Sequence, residues 1–402
     1  MKVLIMHNAG GSDFPSGELT VVNEEAKALR KRGVEVYCHI EKNDKFDNIF
    51  SFRTFFTGIN LFWSYPSYYK TKKLIDKYNP DVVHFHSVLP LLSVSSFYAC
   101  KVKGVPVVQT LHNYRWFCVE GGLYHNNSYC EECFLKGSLR GIIKRCSRKS
   151  FVASTALTIN NTIYVKTGIL FNLVDYFLAV SNFLRDKYIQ AGFPEDKILI
   201  KYNGIELKNI TAKEIKVCNK KGITFVGRLT PSKGTKILKD IIYQMPDVPI
   251  NIIGDGPDFS TLKTFCESGE FKNVRMWGKL PSDKVYDIIS KSACAVLPSL
   301  CAEALSLAGI EFLACGTPVI SSRAGGVIEV VEQSGGGITV DLTGGSKKYI
   351  SEIRNIIRSP DKIQEMGMRG KKYAEKIFSM DSSVDRLLEI YRKVFRKRAE
   401  FN

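Results

Sequence analysis

The chain has 402 residues, 45% of them hydrophobic and 11% aromatic, which suffices for two ordinary domains with substantial cores and excludes a disordered chain. Its formal net charge of +17 is spread along the sequence and points to an anionic partner: nucleic acid, an anionic membrane surface or a phosphorylated substrate. Charge alone does not choose among these, and plain solubility accounts for it equally well.

The opening "MKVLIMHNAGG" has only Val3 to Met6 before polar residues follow, so it reads as a first strand rather than a signal peptide. No later apolar run approaches a membrane span, and the expectation is a cytoplasmic protein whose 11 cysteines are mostly reduced. Strand-like runs then alternate with helical patterns: "KVLIMH", a helix over 18 to 32, "VEVYCHI", a helix near 68 to 78, "PDVVHFH", a helix near 91 to 102, "VPVVQTLH" and "DYFLAVS". That order implies parallel strands with crossover helices. The alternation restarts at "GITFVGR" and runs through "PINIIGDG", "NVRMWG", "ACAVLPS" and "TPVISS". The expected fold is α/β with two doubly wound domains. The first spans 1–206 with a cysteine-rich insertion at 113–150, and the second spans 207–380 behind a lysine-rich linker (207 to 221). A basic helix over 381–402 is expected to pack back across the junction. There is no internal repeat and no low-complexity segment.

In open parallel sheets ligands bind beyond the carboxyl ends of the strands, so the loops there are the candidate walls of a site. "HNAGGSDFPSGE" (7 to 18) is a glycine-rich loop after the first strand, where a ligand can approach backbone closely. "QTLHNY" puts His112 at a strand end; a lone histidine is more often structural, and the strand-end position narrows that preference. "VGRLTPSKG" (226 to 234) sets Arg228 and Lys233 beside a strand end, two cations suited to a diphosphate or to a solvated basic turn. "IIGDGP" (252 to 257) is a tight turn: Phe259 stands where a dinucleotide fingerprint needs glycine, and the lysine of a P-loop is absent. "CAEALSLAGIEFLACGTPVISS" (301 to 322) carries Glu303 just before a helix beginning near Ser306, and Glu311 about two turns in. At roughly 1.5 Å per residue the two carboxylates stand about 12 Å apart, the scale of a nucleotide's ribose to the sugar beyond its diphosphate, though a helix-surface Glu311 and a mere loop acid at Glu303 read the same way. The free amides of the helix start suit phosphate oxygens between them.

Taken together, "YNGIEL", "GRLTPSKG", "GDGP", "EALSLAGIE" and "ACGTPVISSRAGG" resemble the retaining glycosyltransferases of family four, over essentially the whole chain. The resemblance implies a GT-B fold, two Rossmann-like domains facing each other across a cleft, and transfer from a nucleotide-diphospho-sugar without a catalytic metal. It further implies that Arg228 and Lys233 bind the donor diphosphate, Glu303 contacts the transferred sugar near its anomeric carbon, and Glu311 binds the ribose. Backbone groups of Ala304, Leu305, Ser306 and Leu307 would hold sugar and phosphates, Leu280 would lie by the base, His112 would contact the sugar, and Gly11 and Gly17 would line the donor and acceptor side. Two positions depart from the family's habit: Ala304 and Leu305 replace Gly-Phe or Asn-Phe after the first glutamate, and Asn113 replaces the frequent Asp after the histidine. Both blur the choice of sugar. No D-x-D follows an apolar strand to hold a metal.

Cys118, Cys130, Cys133 and Cys146 form a C-x11-C-x2-C-x12-C pattern that can close a tetrahedral structural zinc site, with His125 able to replace one ligand. Free thiols and a redox C-x-x-C pair stay open. A similar insertion occurs in some bacterial polysaccharide-assembly members of the resembled family. "FSFRTFFTGINLFWSYPSYYKTKK" (50 to 73) and "LKGSLRGIIKRCSRKS" pair aromatics with cations, as an anionic bilayer surface requires, though core aromatics beside solvated lysines read the same way. No nucleic-acid-binding motif is present. The resulting expectation is a cytoplasmic enzyme, peripheral on the inner face of the cell membrane, that adds a sugar to a polyprenyl-diphosphate-linked glycan for capsule, O-antigen or exopolysaccharide. A nucleotide-sugar epimerase on the same architecture and a non-catalytic polyanion-binding protein are the alternatives.

Overall fold

A computed structural model of the chain describes residues 1–9, 17–42, 60–207, 210 and 219–399; Gly11 and most of the expected linker lie outside them. The chain divides into two compact units, one formed by Met1–Gly122, Glu131–Gly204 and Met380–Asn402, the other by Leu123–Cys130 and Ile205–Ser379.

The sheet of the first unit holds β1 (Lys2–Ala9), β2 (Glu35–Lys42), β3 (Val82–Phe85) and β4 (Val107–Leu111). After a two-stranded hairpin of β5 (Tyr124–His125) and β6 (Ser128–Tyr129), it is completed by β7 (Tyr176–Ala179) and β8 (Ile198–Ile200). Every pairing in it is parallel, in the order β2-β1-β3-β4-β7-β8, with Ile5 level with Cys38 on one side and His84 on the other. Strands covered by helices on both faces must be apolar throughout, which is why "VLIM", "VVHF" and "YFLA" are buried at every residue. The helix Gly17–Lys31 turns Val21, Val22, Glu25, Ala26 and Leu29 inward, a helical stripe in which one carboxylate takes an apolar position.

The C-terminal helix, Met380–Ala399, completes this unit's core. Val384, Leu387, Ile390, Tyr391 and Val394 pack in one buried cluster with Val3, Ile5, Val22, Leu29 and Val82. Arg32 reinforces the contact through Asp381 at 2.8 Å and Asp385 at 2.6 Å, both on the surface.

The second unit holds β9 (Ile223–Val226), β10 (Ile250–Ile253), β11 (Val274–Gly278), β12 (Cys294–Leu297), β13 (Val319–Ser322) and β14 (Gly337–Val340). They form a parallel sheet in the order β11-β10-β9-β12-β13-β14. In chain order that is 3-2-1-4-5-6, the Rossmann arrangement, whereas the first sheet runs 2-1-3-4-5-6. The crevice rule therefore points to the loops after β9 and β12 in one unit and after β1 and β3 in the other.

Candidate active site

In the second unit the chain leaves β9 at Val226, passes an exposed Arg228 and turns through Pro231–Lys233 into the helix Thr235–Gln244. Gly234 sits at that junction with φ +80°, and a Cβ there would stand 2.0 Å from the Pro298 carbonyl oxygen. Only glycine lets the loop after β9 lie against the backbone after β12. The close approach brings Lys233 Nζ to 2.8 Å from Glu303 Oε1. Burial by itself would raise the Glu303 carboxyl; Lys233 outweighs it, helped by hydroxyl hydrogen bonds from Ser299 and Ser306, and holds the group below its ordinary value. Lys233 in turn is held above its ordinary value by Glu303, against the opposing effect of burial. The result is an ion pair at the switch point of the sheet.

The backbone of Glu303 is clamped as well. Gly326 N–H donates to its carbonyl at 2.6 Å, and Gly325, at φ +86°, would place a Cβ 2.2 Å from that same oxygen. Ser306 caps the helix Leu307–Ala314 by accepting from Gly309 N–H at 3.3 Å. Glu311 follows on that helix, where Tyr286 OH donates to Oε1 at 3.3 Å and no Lys or Arg among the described residues pairs with it. Burial pushes its carboxyl up to about 7. Ala304, Leu305 and Leu307 are half-buried around the helix start, and Leu280 is half-buried between β11 and the helix Ser282–Ser290. The glycine turn after β10 supports the same loop: a Cβ on Gly254 would meet Gly227 O at 1.9 Å, and one on Gly256 would meet Leu229 O at 2.4 Å.

In the first unit His112 stands just past β4, and it is not alone. His84 lies on β3 and His86 just past its end, two residues on, and His86 Nδ1 is 2.8 Å from His112 Nε2. His84 binds Tyr391 OH through Nδ1 at 2.6 Å and Thr110 Oγ1 through Nε2 at 2.7 Å. Glu25, on the inward face of its helix, pairs with the buried Lys201, and its Oε1 is 3.5 Å from both His84 Nδ1 and His86 Nε2. Burial pulls His112 down to about 3 despite the opposing pull of Glu18, so the ring is neutral. Glu18 accepts from Ser87 Oγ and from Asn113 Nδ2. His86, His112, Asn113, Arg115 and Trp116 line a small cavity of about 40 Å³. Gly17 opens the helix that carries Glu18 and is exposed.

The ligand-type atoms of Glu25, His84 and His86 lie within 4.8 Å of one another, the spacing of a metal site. Lys201 already neutralises the carboxylate, and both His84 nitrogens are engaged, so this is a hydrogen-bonded charge network rather than a cation site.

In the insertion, Cys118 Sγ accepts from Gly121 N–H at 3.4 Å. A Cβ on Gly141 would meet Val119 Cγ2 at 2.6 Å and Cys133 Sγ at 3.3 Å, while Cys146 N–H donates to Gly141 O at 3.0 Å. Cys133 by its sulfur and Cys146 by its N–H thus lie at Gly141. Cys130 N–H closes the base of the β5–β6 hairpin on Leu123 O at 2.8 Å.

Sequence reasoning passed over Glu18, Glu25, His84, His86, Lys201, Ser299 and Gly325. A signal existed for some: two histidines stand two apart at the end of an apolar strand, and Glu25 falls on the helical stripe of Val21, Val22 and Leu29.

The family model for glycosyl transferases group 1 matches residues 208–373, and that for glycosyltransferase family 4 matches residues 16–209. The chain is 26% identical over 246 residues to the alpha-maltose-1-phosphate synthase of Mycolicibacterium smegmatis, covering 55% of this chain and 63% of that protein. It is 30% identical over 183 residues to the D-inositol 3-phosphate glycosyltransferase of Segniliparus rotundus, covering 43% of this chain and 40% of that one. Both matches span less than two thirds of the relative's own length. Among solved structures, Anabaena Alr3699/HepE in complex with UDP-glucose shares the fold with a TM-score of 0.68 at 18% identity, over 98% of this chain and 100% of that one. With a family model on each half and two parallel α/β sheets, the chain belongs to the glycosyltransferases of family four, which have the GT-B fold of two Rossmann-like domains.

Proposed function

We propose that this glycosyltransferase takes a sugar from a nucleotide-diphospho-sugar, with retained anomeric configuration and without a catalytic metal, and passes it to a glycan on a polyprenyl diphosphate. The pathway is assembly of a bacterial surface polysaccharide such as capsule or O-antigen. The observation that carries the reading is the Lys233–Glu303 pair beside the helix start, with Glu311 two turns along the same segment. Lys233 and Arg228, with the first-turn amides of the helix Leu307–Ala314, neutralise the charge that builds on the departing diphosphate. Glu303 stays ionised and faces the positive charge that develops at the anomeric carbon. Glu311 accepts the ribose hydroxyls, and His112 contacts the sugar. Leu280 lies by the base, Ala304, Leu305, Ser306 and Leu307 hold the donor through backbone groups, and Gly17 lines the donor and acceptor side. Binding of UDP-glucose by Alr3699/HepE supports a nucleotide-sugar donor.

The acceptor side rests on a surface of the first unit. Leu135, Leu139, Ile143, Phe151 and Val152 are exposed among Lys136, Arg140, Arg145, Arg148 and Lys149, an apolar patch with cations around it, as an anionic bilayer on the cytoplasmic side requires. Among the described residues no helix is long and apolar enough to cross a membrane.

Cys118, Cys130, Cys133 and Cys146 hold a structural zinc that orders the insertion. Metal analysis of protein purified without added metal is expected to give about one zinc per chain; a stoichiometry near zero removes the site.

The deciding experiment incubates purified protein with a panel of nucleotide-sugars, with and without a lipid-linked sugar acceptor, and follows nucleotide release and product configuration by NMR. One donor should be consumed in an acceptor-dependent way with retention, and Glu303→Ala should lower transfer by about 10²–10³ while the protein still folds. Full activity in that variant sinks the assignment, and conversion of a nucleotide-sugar to its epimer without acceptor moves the protein to the epimerases.

A further inference from the structure

We propose that Glu25 and His86 are positioning residues that fix the tautomer of His112, so that His112 offers a lone pair at Nδ1 to a hydroxyl of the bound sugar. The hydroxyl half of this inference rests on the donor reading above; the tautomer half stands on the first unit alone.

Two buried atoms decide the proton positions. His86 Nε2 and Glu25 Oε1 both lack a hydrogen-bond partner at normal distance, and they face each other at 3.5 Å. A carboxylate facing an imidazole lone pair would be repelled, whereas a carboxylate facing N–H is attracted, so the His86 proton belongs on Nε2. In a neutral ring that leaves Nδ1 of His86 as an acceptor. His112 Nε2, 2.8 Å from it, must then carry the proton that fills this hydrogen bond. In a neutral ring with Nε2–H, Nδ1 is unprotonated. Burial keeps His112 neutral, so the imidazolium form does not compete.

The arrangement follows the logic by which a buried carboxylate sets the tautomer of a working histidine, extended by one ring. Lys201 holds Glu25 ionised, Tyr391 and Thr110 occupy both nitrogens of His84, and the remaining carboxylate oxygen is left to His86. The other carboxylate near His112 is Glu18, whose oxygens accept from Asn113 and Ser87; no hydrogen bond or ion pair joins it to His112 among the described residues. His7, edge-on to His86 at 6.2 Å between ring centroids, makes no hydrogen bond to either ring among the described residues.

The test is long-range ¹H–¹⁵N NMR of protein labelled at histidine, whose 6 histidines make a tractable spectrum, with His112 assigned by its loss in His112→Asn. His112 and His86 should both show the Nε2–H form at pH 7.5 to 8, a condition chosen for the experiment. A proton on Nδ1 of His112, turned toward Glu18, or an imidazolium signal overturns the proposal. The kinetic arm compares His86→Leu with His86→Asn, whose amide oxygen can replace the Nδ1 acceptor. His86→Leu should lower kcat about tenfold with little change in donor KM, and His86→Asn should recover much of that loss. Equal activity of wild type and His86→Leu, at matched melting temperature, overturns the hydroxyl half. Absence of transfer by the wild type counts against the donor reading and leaves the NMR result to judge the tautomer.

Discussion

Glu311 and Glu303 are carboxylates eight residues apart with opposite electrostatics. Glu303 has Lys233 beside it and stays ionised, whereas among the described residues Glu311 has only the Tyr286 hydroxyl, and burial raises it to about 7. In the proposed donor complex ribose hydroxyls donate to the ionised carboxylate, so donor binding to Glu311 favours loss of its proton. Nucleotide-sugar affinity, measured by calorimetry, is therefore expected to weaken by up to about tenfold per pH unit below 7 and to level off above it. Glu311→Gln should flatten that profile and weaken binding roughly 10- to 100-fold at pH 8. The stability sign runs the other way. A carboxyl whose folded pKa is raised contributes stability at low pH that is lost as pH rises through about 7, so the same variant should melt higher than wild type at pH 8 and little differently at pH 4. A pH-independent affinity in wild type excludes Glu311 as the ribose contact. The two glutamates were legible because helical rise converts spacing into distance. Gly325 was not, since its role is to let a carbonyl 22 positions earlier come close, and nothing local records that approach.

The helix Phe151–Lys166 and the short helix Leu139–Ile143 before it illustrate how much an element's sequence shows. The inward residues Ser154, Leu157, Thr158, Asn160, Asn161 and Tyr164 are largely polar, while Val152, Ile159 and Ile163 face outward, the reverse of a soluble helix. Composition in this region suggested a bilayer surface; only burial shows which side chains remain to meet one. Vesicles containing anionic lipid should bind the wild type at low salt and release it at high salt, and Ile143→Glu with Val152→Glu should abolish binding without lowering the melting temperature, because the two side chains are 69% and 76% exposed. No vesicle binding at low salt removes this surface from the mechanism. The aromatic stretch from Phe50 lies outside the described residues as far as Ile59; beyond it Trp63, Tyr68 and Tyr98 cluster, with Trp63 and Tyr98 centroids 5.4 Å apart. The hairpin in the insertion had a readable signal: Asn126 and Asn127, at φ +47° and +58°, are the residues that a two-residue hairpin turn with positive φ favours.

At the scale of the molecule, the C-terminal helix is part of the first unit's core although the intervening chain builds most of the second. Deleting 380–402 exposes the cluster around Val3, Val22 and Val82 and removes the Tyr391 hydroxyl from His84, so the truncated chain should lose the cooperative melting of its first unit in calorimetry. Tyr391→Phe should keep the fold and cost about 1–3 kcal/mol, the penalty of a buried ring nitrogen without its partner. A truncated chain that melts like wild type would show that the helix is dispensable to that core.

Fold class and the segments bearing the second unit's candidate site were already determined by the sequence, because parallel strands buried on both faces must be continuous apolar runs and a strand end puts the residues that follow it in the next loop. Strand order was decided only by the tertiary structure. It sets the switch points after β9 and β12 and after β1 and β3, and so determines which loops meet. The same holds for Glu25: its helical position predicts burial, but its partner Lys201 is 176 residues away. A buried charge requires a counter-charge, and local sequence does not specify which distant residue supplies it.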